Sequence, residues 1–502
     1  MNTSAATQSS TIAWINDASQ SRAIVLAIVT LILAFAFQGS RALWDPDEGR
    51  YVDIALQMIK SGNWWVPHLN EETAHLAKPP MTYWMIAASL KTFGRSEGAA
   101  RLPYALAFLT TALIVFQLAR DLHLRVPWAA SLIWMTCAGS FVGFNVVSTD
   151  ALLTMFEAAA MLALVRTGAL FKDDACPRWV SVLWLVLGLA FLTKGPPALL
   201  PMLAAVVYLI RIRHKRALRQ LFAPRGLCIF ALVGLSWYAS MIVIDPESLN
   251  YFVGSEVYGR IFADAHGRNG GALGALKVYV PTILIGSMPW GWLLIRKPVK
   301  AEWSALDRCR EKFLWTWLLV PLSVFALSRS RLPLYLLPLF VPIALLCATR
   351  IRSMPLMPQR EAWPLAVWIF VLLLTRVGAS WLANSADAQS FSAEIAQVMH
   401  VMRTPATEVV FVDSKPRYGV AFYLNAEVVA VHLRGWAWEE SESLCDATGG
   451  HASILWLVPD TDAAALEQQG SECGVRYRRI GEVRQRFAAF ELLPVRGRRF
   501  RG

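Results

Sequence analysis

Charge is scarce in this 502-residue chain. Only 17% of it is Asp, Glu, Lys or Arg, against 56% hydrophobic residues and 21 Trp. A water-soluble enzyme of this size carries more charge than that. Several catalytic signatures are missing too. No Walker lysine loop occurs, and no GxGxxG follows a strand-like run, so nucleotide binding has no support. There is no CxxC and no HExxH, which removes the common zinc patterns. The segment through Ser21 lacks the basic, apolar, small-residue order of a cleaved signal peptide. It reads as a retained cytoplasmic tail. No internal repeat or low-complexity tract is present.

What fills the chain instead is a series of apolar runs, from Ala23–Phe37 to Trp363–Ala383. They predict an α-helical polytopic membrane protein with about 11–13 transmembrane helices. The net charge of +12 fits basic cytoplasmic loops better than nucleic-acid binding, and no nucleic-acid partner is expected. The segments 120–125, 166–178, 211–225, 296–312 and 350–360 carry most of that charge. They share one side if Met81–Phe93 does not cross and lies as a re-entrant or interfacial helix. The loops 41–100, 146–150, 193–196, 245–275 and 328–333 then share the outer face with the chain's acids, bases and aromatics. The composition changes near Asn384. VVFVDS, VVAVHL, SILWLV and RFAAFELLP alternate with a helical stretch at Thr461–Gln469. The expected organisation is a membrane module over 1–383 and a small outer α/β domain over 384–502. Cys445 and Cys473 are the two cysteines of that domain. They read either as a disulfide in an oxidising compartment or as two buried thiols.

Four constellations on the outer face carry chemistry. LWDPDEGRY supplies Asp45, Asp47, Glu48, Arg50 and Tyr51 just past the first apolar run. Its plain reading is a loop start with a helix cap; its functional reading is a set of carboxylates that positions an acceptor or a metal. In HLAKPPMTYW, Lys78 precedes two prolines at the lipid boundary. It is either a snorkelling lysine or a clamp for a lipid-linked phosphate. NVVSTDAL places Asp150 at the start of a span, as a cap or as a second site acid. LTKGPP, EVYGR and SRSRLPLYLLP add Lys194, Arg260, Arg331 and Tyr335. Each of those is structural by itself, but together they supply the cations that a phosphate-bearing substrate needs.

The blocks WDPDEGRYVDIALQMIKSGNWWVPHLN and AKPPMTYWMIAASLKTFGRSEGAARLPYAL, with STDALL, FLTKGPPALLPM and LPLYLLPLFVPIALL, strongly resemble the aminoarabinose transferase-like glycosyltransferases. These are integral membrane enzymes of the GT-C class, which also holds the dolichyl-phosphate-mannose protein mannosyltransferases. The resemblance covers most of the membrane part. It implies an enzyme of the bacterial inner membrane that takes a sugar from a polyprenyl (undecaprenyl) phosphate on the periplasmic side. The best-known member passes aminoarabinose to lipid A phosphates; another sugar, or a glycan, lipid or protein acceptor, stays open. The resemblance implies Asp47 and Asp150 as catalytic acids, with Glu48 in the first motif. Lys78, Arg50, Tyr51, Arg260, Tyr335, Lys194 and Arg331 would meet the substrate or its lipid phosphate. One position departs from the family: the residue before the lysine is Ala77 where relatives carry Glu. No cofactor is fixed by the sequence. A divalent metal would have to use His75 or Glu72. The rival of another class is a flippase for lipid-linked substrates, which would carry functional charges near midmembrane and on both faces.

Overall fold

The structure is a computed structural model. It describes residues 24–71, 73–171, 175–259, 269–271, 273–296, 304–351, 359–382, 387–402, 406–433, 442–448, 453–484 and 486–493. The chain divides into two compact units. One, here the helical unit, comprises Met1–Gln38, Ala77–Met81 and Leu102–Arg376. The other, the mixed unit, comprises Gly39–Leu76, Thr82–Arg101 and Val377–Gly502.

Several of the apolar runs of the helical unit fold as broken helices. Pro127–Thr136 and Ala138–Gly143 are separated by an extended Cys137. The Pro177–Lys194 helix stops at Gly195, and Pro196–Leu199 winds as a 3-10 turn before Leu200–Arg211. Pro333–Leu339 is likewise a 3-10 segment leading into Phe340–Ala348. Proline lacks the N–H of the helix ladder and its ring crowds the preceding turn, so the breaks after Lys194 and at Pro333–Leu339 follow from the sequence. Among the described residues, two helices are by themselves long and apolar enough to cross a membrane, Glu97–Asp121 and Pro177–Lys194. A third span arises if Lys215–Leu221 and Pro224–Gly234, bent by 42°, count as one. Helix length alone therefore does not yield the expected count of spans.

In the mixed unit a six-stranded sheet is built from β1 (Glu408–Val412), β2 (Glu427–His432), β3 (Glu442–Ser443), β4 (Ile454–Pro459), β5 (Arg476–Val483) and β6 (Phe487–Leu493). The order is β3-β2-β1-β4-β6-β5. β3, β2, β1 and β4 run parallel, and the β5–β6 hairpin is antiparallel. Val410, Val412, Ile454, Trp456, Val458 and Phe490 fill its core. VVFVDS, VVAVHL, SILWLV and RFAAFELLP supply β1, β2, β4 and β6. AFYLN lies in the helix Gly419–Leu424 and its left-handed cap at Asn425. β5 carries Arg476, Arg478 and Arg479 on a largely solvated edge, so no alternating apolar pattern marks it. Cys445 and Cys473 form a disulfide with Cα atoms 5.3 Å apart.

The same unit contains the helix Asp47–Ser61. It packs beside Gly419–Leu424 because Gly49 and Gly419 meet without side chains. A Cβ on Gly49 would strike the Gly419 backbone.

Candidate active site

Asp47 and Glu48 are neighbours in sequence, and the helix sends them to different surroundings. Asp47 has 69% of its side chain exposed and pairs with Arg50 at 3.1 Å, one turn along. Glu48 is 1% exposed. Its Oε1 and Oε2 accept from Arg41 Nη2 and Nη1, both at 2.6 Å. Oε2 also accepts from Arg101 Nη2 at 3.0 Å and from the Trp44 backbone N–H at 2.9 Å. The Arg41 guanidinium in turn covers the Trp44 ring. Charge-assisted bonds from two arginines tie the Asp45–Asp47 turn to the start of the Glu97–Asp121 helix. Tyr51 is buried, 5.7 Å from the Tyr83 ring.

Asp45 is half-buried in the same turn. Its Oδ1 accepts the Gly419 backbone N–H at 2.9 Å, and its Oδ2 has no partner among the described residues. Burial pushes its carboxyl up to about 7, against the opposing pull of the Gly419 bond and of Arg417. Asp53, on the buried face of the helix, is held well above the usual carboxylate range by burial and then by Glu427.

A second cluster lies in the helical unit. Lys78 donates to Glu256 Oε2 at 3.0 Å and to its neighbour's carbonyl, Ala77 O, at 2.7 Å. Asp150, in the first turn of Thr149–Thr167, pairs with Lys194, and both side chains are only 8% exposed. The Lys194 ammonium sits 4.4 Å from the centre of the Tyr335 ring. Lys194 reaches this place because its helix ends there: Gly195 has φ +74°, the left-handed region that favours glycine. A Cβ on Gly195 would lie 2.8 Å from the Tyr238 hydroxyl. Glu256 is within electrostatic reach of that same tyrosine. The cluster thus holds two lysine–acid pairs, Lys78–Glu256 and Lys194–Asp150, with Tyr335 against Lys194 and Tyr238 near both Gly195 and Glu256. Glu157, 5% exposed and two turns along the helix from Asp150, extends it.

Of the residues singled out from sequence, Lys78, Asp150, Lys194 and Tyr335 meet in this cluster, while Asp47, Glu48, Arg50 and Tyr51 sit together in the mixed unit. Arg331 is engaged elsewhere. Its Nη1 donates to the carbonyls of Asn269 and Gly271 at 2.8 and 2.9 Å, and its Nη2 to that of Ala326 at 3.1 Å. Arg260 lies outside the described residues, as does Glu72. Among the described residues no three His, Cys, Asp or Glu side chains gather as a metal site. His75 is buried, with its ring edge-on to Tyr83. Sequence reasoning missed Tyr238 and Glu157 as site members, because both sit inside apolar runs that read as lipid-facing or core helix.

A family described as dolichyl-phosphate-mannose-protein mannosyltransferase matches residues 77–240. An undecaprenyl phosphate-alpha-4-amino-4-deoxy-L-arabinose arabinosyl transferase 2 of Proteus mirabilis is 32% identical over 345 residues, 66% of this chain and 60% of that protein. The corresponding transferase of Serratia proteamaculans is 30% identical over 329 residues, 65% of this chain and 58% of that protein. The chain is related to these transferases. The resemblance seen in WDPDEGRY and AKPPMTYW is borne out. The chain spans less than two thirds of the length of these curated relatives. The crystal structure of ArnT from Cupriavidus metallidurans bound to undecaprenyl phosphate superimposes with a TM-score of 0.75 at 19% identity, covering 93% of this chain and 97% of that one. The fold is therefore that of ArnT, a GT-C architecture with a small sheet-containing part.

Proposed function

We propose that the chain is a membrane glycosyltransferase that moves aminoarabinose from undecaprenyl phosphate to a lipid A phosphate on the periplasmic face of the inner membrane. The observation that carries this reading is the pair of poorly exposed lysines, Lys78 and Lys194, each held by its own acid, with Tyr238 near both Gly195 and Glu256. Such cations balance the charge that grows on a departing phosphate. ArnT, which shares the fold, has been crystallised with undecaprenyl phosphate.

A polytopic arrangement of about 11–13 spans agrees with the apolar surface of the helical unit. Val243, Ile295 and Leu327 are 83%, 86% and 81% exposed, which suits lipid contact and not water. The basic loops expected on one side support this orientation.

In the proposed reaction the bond between the sugar C1 and the carrier phosphate oxygen breaks, and the electron pair leaves on undecaprenyl phosphate. An oxygen of the lipid A phosphate forms the new bond to C1, and a single displacement inverts that centre. A phosphate acceptor needs no base, so Asp47 orients it or stabilises the positive charge growing on the sugar ring. Asp150 fixes the Lys194 ammonium, and Lys78 meets the carrier phosphate once that phosphate displaces Glu256. Glu48 supports the turn that presents Asp47.

The test uses purified protein in detergent with undecaprenyl-phosphate-linked aminoarabinose and lipid A. Mass spectrometry is expected to find an aminopentose added to lipid A. Absence of transfer, with the donor intact, overturns the reading.

A further inference from the structure

The parallel part of the sheet has a switch point. From β1 the chain moves outward to β2 and β3, then returns to lay β4 on the other side of β1. Loops leaving the carboxyl ends of two such strands diverge, and the crevice between them is where open α/β sheets take ligands. A cavity of 520 Å³ lies there. Ser414, Lys415, Pro416 and Arg417 line it just past the end of β1. Pro459 closes β4, Arg486 and Phe487 come from the β5–β6 hairpin, and Asp45 and Pro46 complete the wall.

Its chemistry is that of an anion site with one acid. Arg417 lies with its guanidinium 4.2 Å from the Phe391 ring centre, which fixes its plane. Arg417 is electrostatically coupled to Arg484 and Arg486 as well as to Asp45 and Glu394. Arg484 is already bound to Glu394 and Ser390. Arg486 has no side-chain hydrogen bond or ion pair among the described residues. Two buried polar atoms of the wall have no partner among the described residues, Ser414 Oγ and Asp45 Oδ2. Such a hydroxyl and carboxyl oxygen can each take a hydrogen bond from or to a polar ligand. Asp45, raised to about 7 by burial, repels an anion less than an ordinary aspartate would. The cavity volume lies in the range of small-molecule sites.

We propose that this crevice binds the phosphorylated sugar headgroup of the acceptor, with its phosphate on Lys415, Arg417, Arg486 and the Ser414 hydroxyl and a sugar hydroxyl or amine on Asp45. The proposal rests on the transferase reading and names the acceptor-side subsite for it. Asp47 lies in the same turn, two residues beyond Asp45.

The test uses the full-length protein and two measurements. Glucosamine 1-phosphate is titrated by calorimetry into the wild type, Arg486→Ala and Lys415→Ala/Arg486→Ala, all checked for unchanged thermal unfolding. Steady-state transfer is then measured with lipid A and with its dephosphorylated form. Binding is expected in the wild type and to weaken about tenfold or more in the double variant. KM for lipid A should rise by a similar factor, with the donor KM unmoved. No binding by the wild type overturns the proposal. So does a KM change confined to the donor, or displacement of the probe by phosphatidylglycerol vesicles as readily as by lipid A, which would make the crevice a general phospholipid site. Wild-type binding without any transfer to lipid A overturns the acceptor assignment through the failure of the transferase reading, a result distinct from failed binding.

Discussion

Lys78 Nζ donates to Glu256 Oε2 at 3.0 Å, across 178 residues of sequence. The lysine that resembles the carrier-phosphate contact of the transferases is thus held by an acid, and both side chains are less than one fifth exposed. A poorly exposed lysine held by a carboxylate is placed for an anion that exchanges with that carboxylate.

Lys78→Ala is expected to lower transfer by about 100-fold or more while the protein stays folded. Glu256→Gln keeps a hydrogen-bond acceptor and removes the competing charge, so undecaprenyl phosphate should bind about threefold tighter or more. Both are read by turnover and by binding of undecaprenyl phosphate to purified protein. Weaker binding in Glu256→Gln would show that the acid is not a competitor for the lysine.

Glu48 makes a different prediction from its neighbour. Glu48→Ala leaves Arg41 and Arg101 buried without their counter-ion, which costs about 3–5 kcal/mol. Asp47→Asn disturbs an exposed pair whose contribution to stability is small. Thermal unfolding should fall sharply for the first and barely for the second. Transfer should be lost in Asp47→Asn despite normal stability. Equal unfolding temperatures for the two variants would remove the supporting role of Glu48.

Asp45 gives a pH dependence. Its folded-state pKa is raised by burial from the ordinary aspartate value to about 7, so the native state holds a proton that the unfolded chain releases. Its contribution to stability is present below about pH 4 and is lost as pH rises through 7. Asp45→Asn keeps an oxygen for the Gly419 N–H and does not titrate. The unfolding temperature of the wild type minus that of the variant should therefore drop by about 5 °C or more between pH 5 and pH 8. A pH-independent difference would mean that Asp45 is ionised throughout.

Gly195→Ala tests the turn after Lys194. Alanine is strained at φ +74°, and its methyl would meet the Tyr238 hydroxyl. The cost is expected to be about 1–2 kcal/mol in stability, together with a several-fold loss of turnover as Lys194 shifts off Tyr335. A variant with wild-type turnover would mean that the turn after Lys194 does not position it.

Part of this site could be read before any fold was known. Proline and glycine mark the turn after Lys194, and LTKGPP is legible because proline and glycine restrict backbone geometry locally. β1, β2, β4 and β6 were legible because short β-rich apolar runs bounded by turns form strands. β5 was not, since an arginine-rich edge strand owes its pairing to β6 and not to its own pattern. Tyr238 and Glu157 were hidden for a related reason: inside an apolar run nothing local separates a lipid-facing residue from one that faces a polar cluster.

The sequence by itself determined the apolar, broken-helix character of the chain, its sheet-forming tail and the residue types of LWDPDEGRY. These depend on hydropathy, proline geometry and strand propensity, all of which act over a few residues. Only the tertiary structure decided that Glu48 is enclosed by Arg41 and Arg101 while Asp47 faces outward, and that Lys78 meets Glu256. It also opened the crevice between β1 and β4 beside Asp45. Consecutive helix residues point about 100° apart, and ion pairs form between side chains that the folded backbone brings together at any separation. The meaning of neighbouring carboxylates is therefore set by what packs against each one.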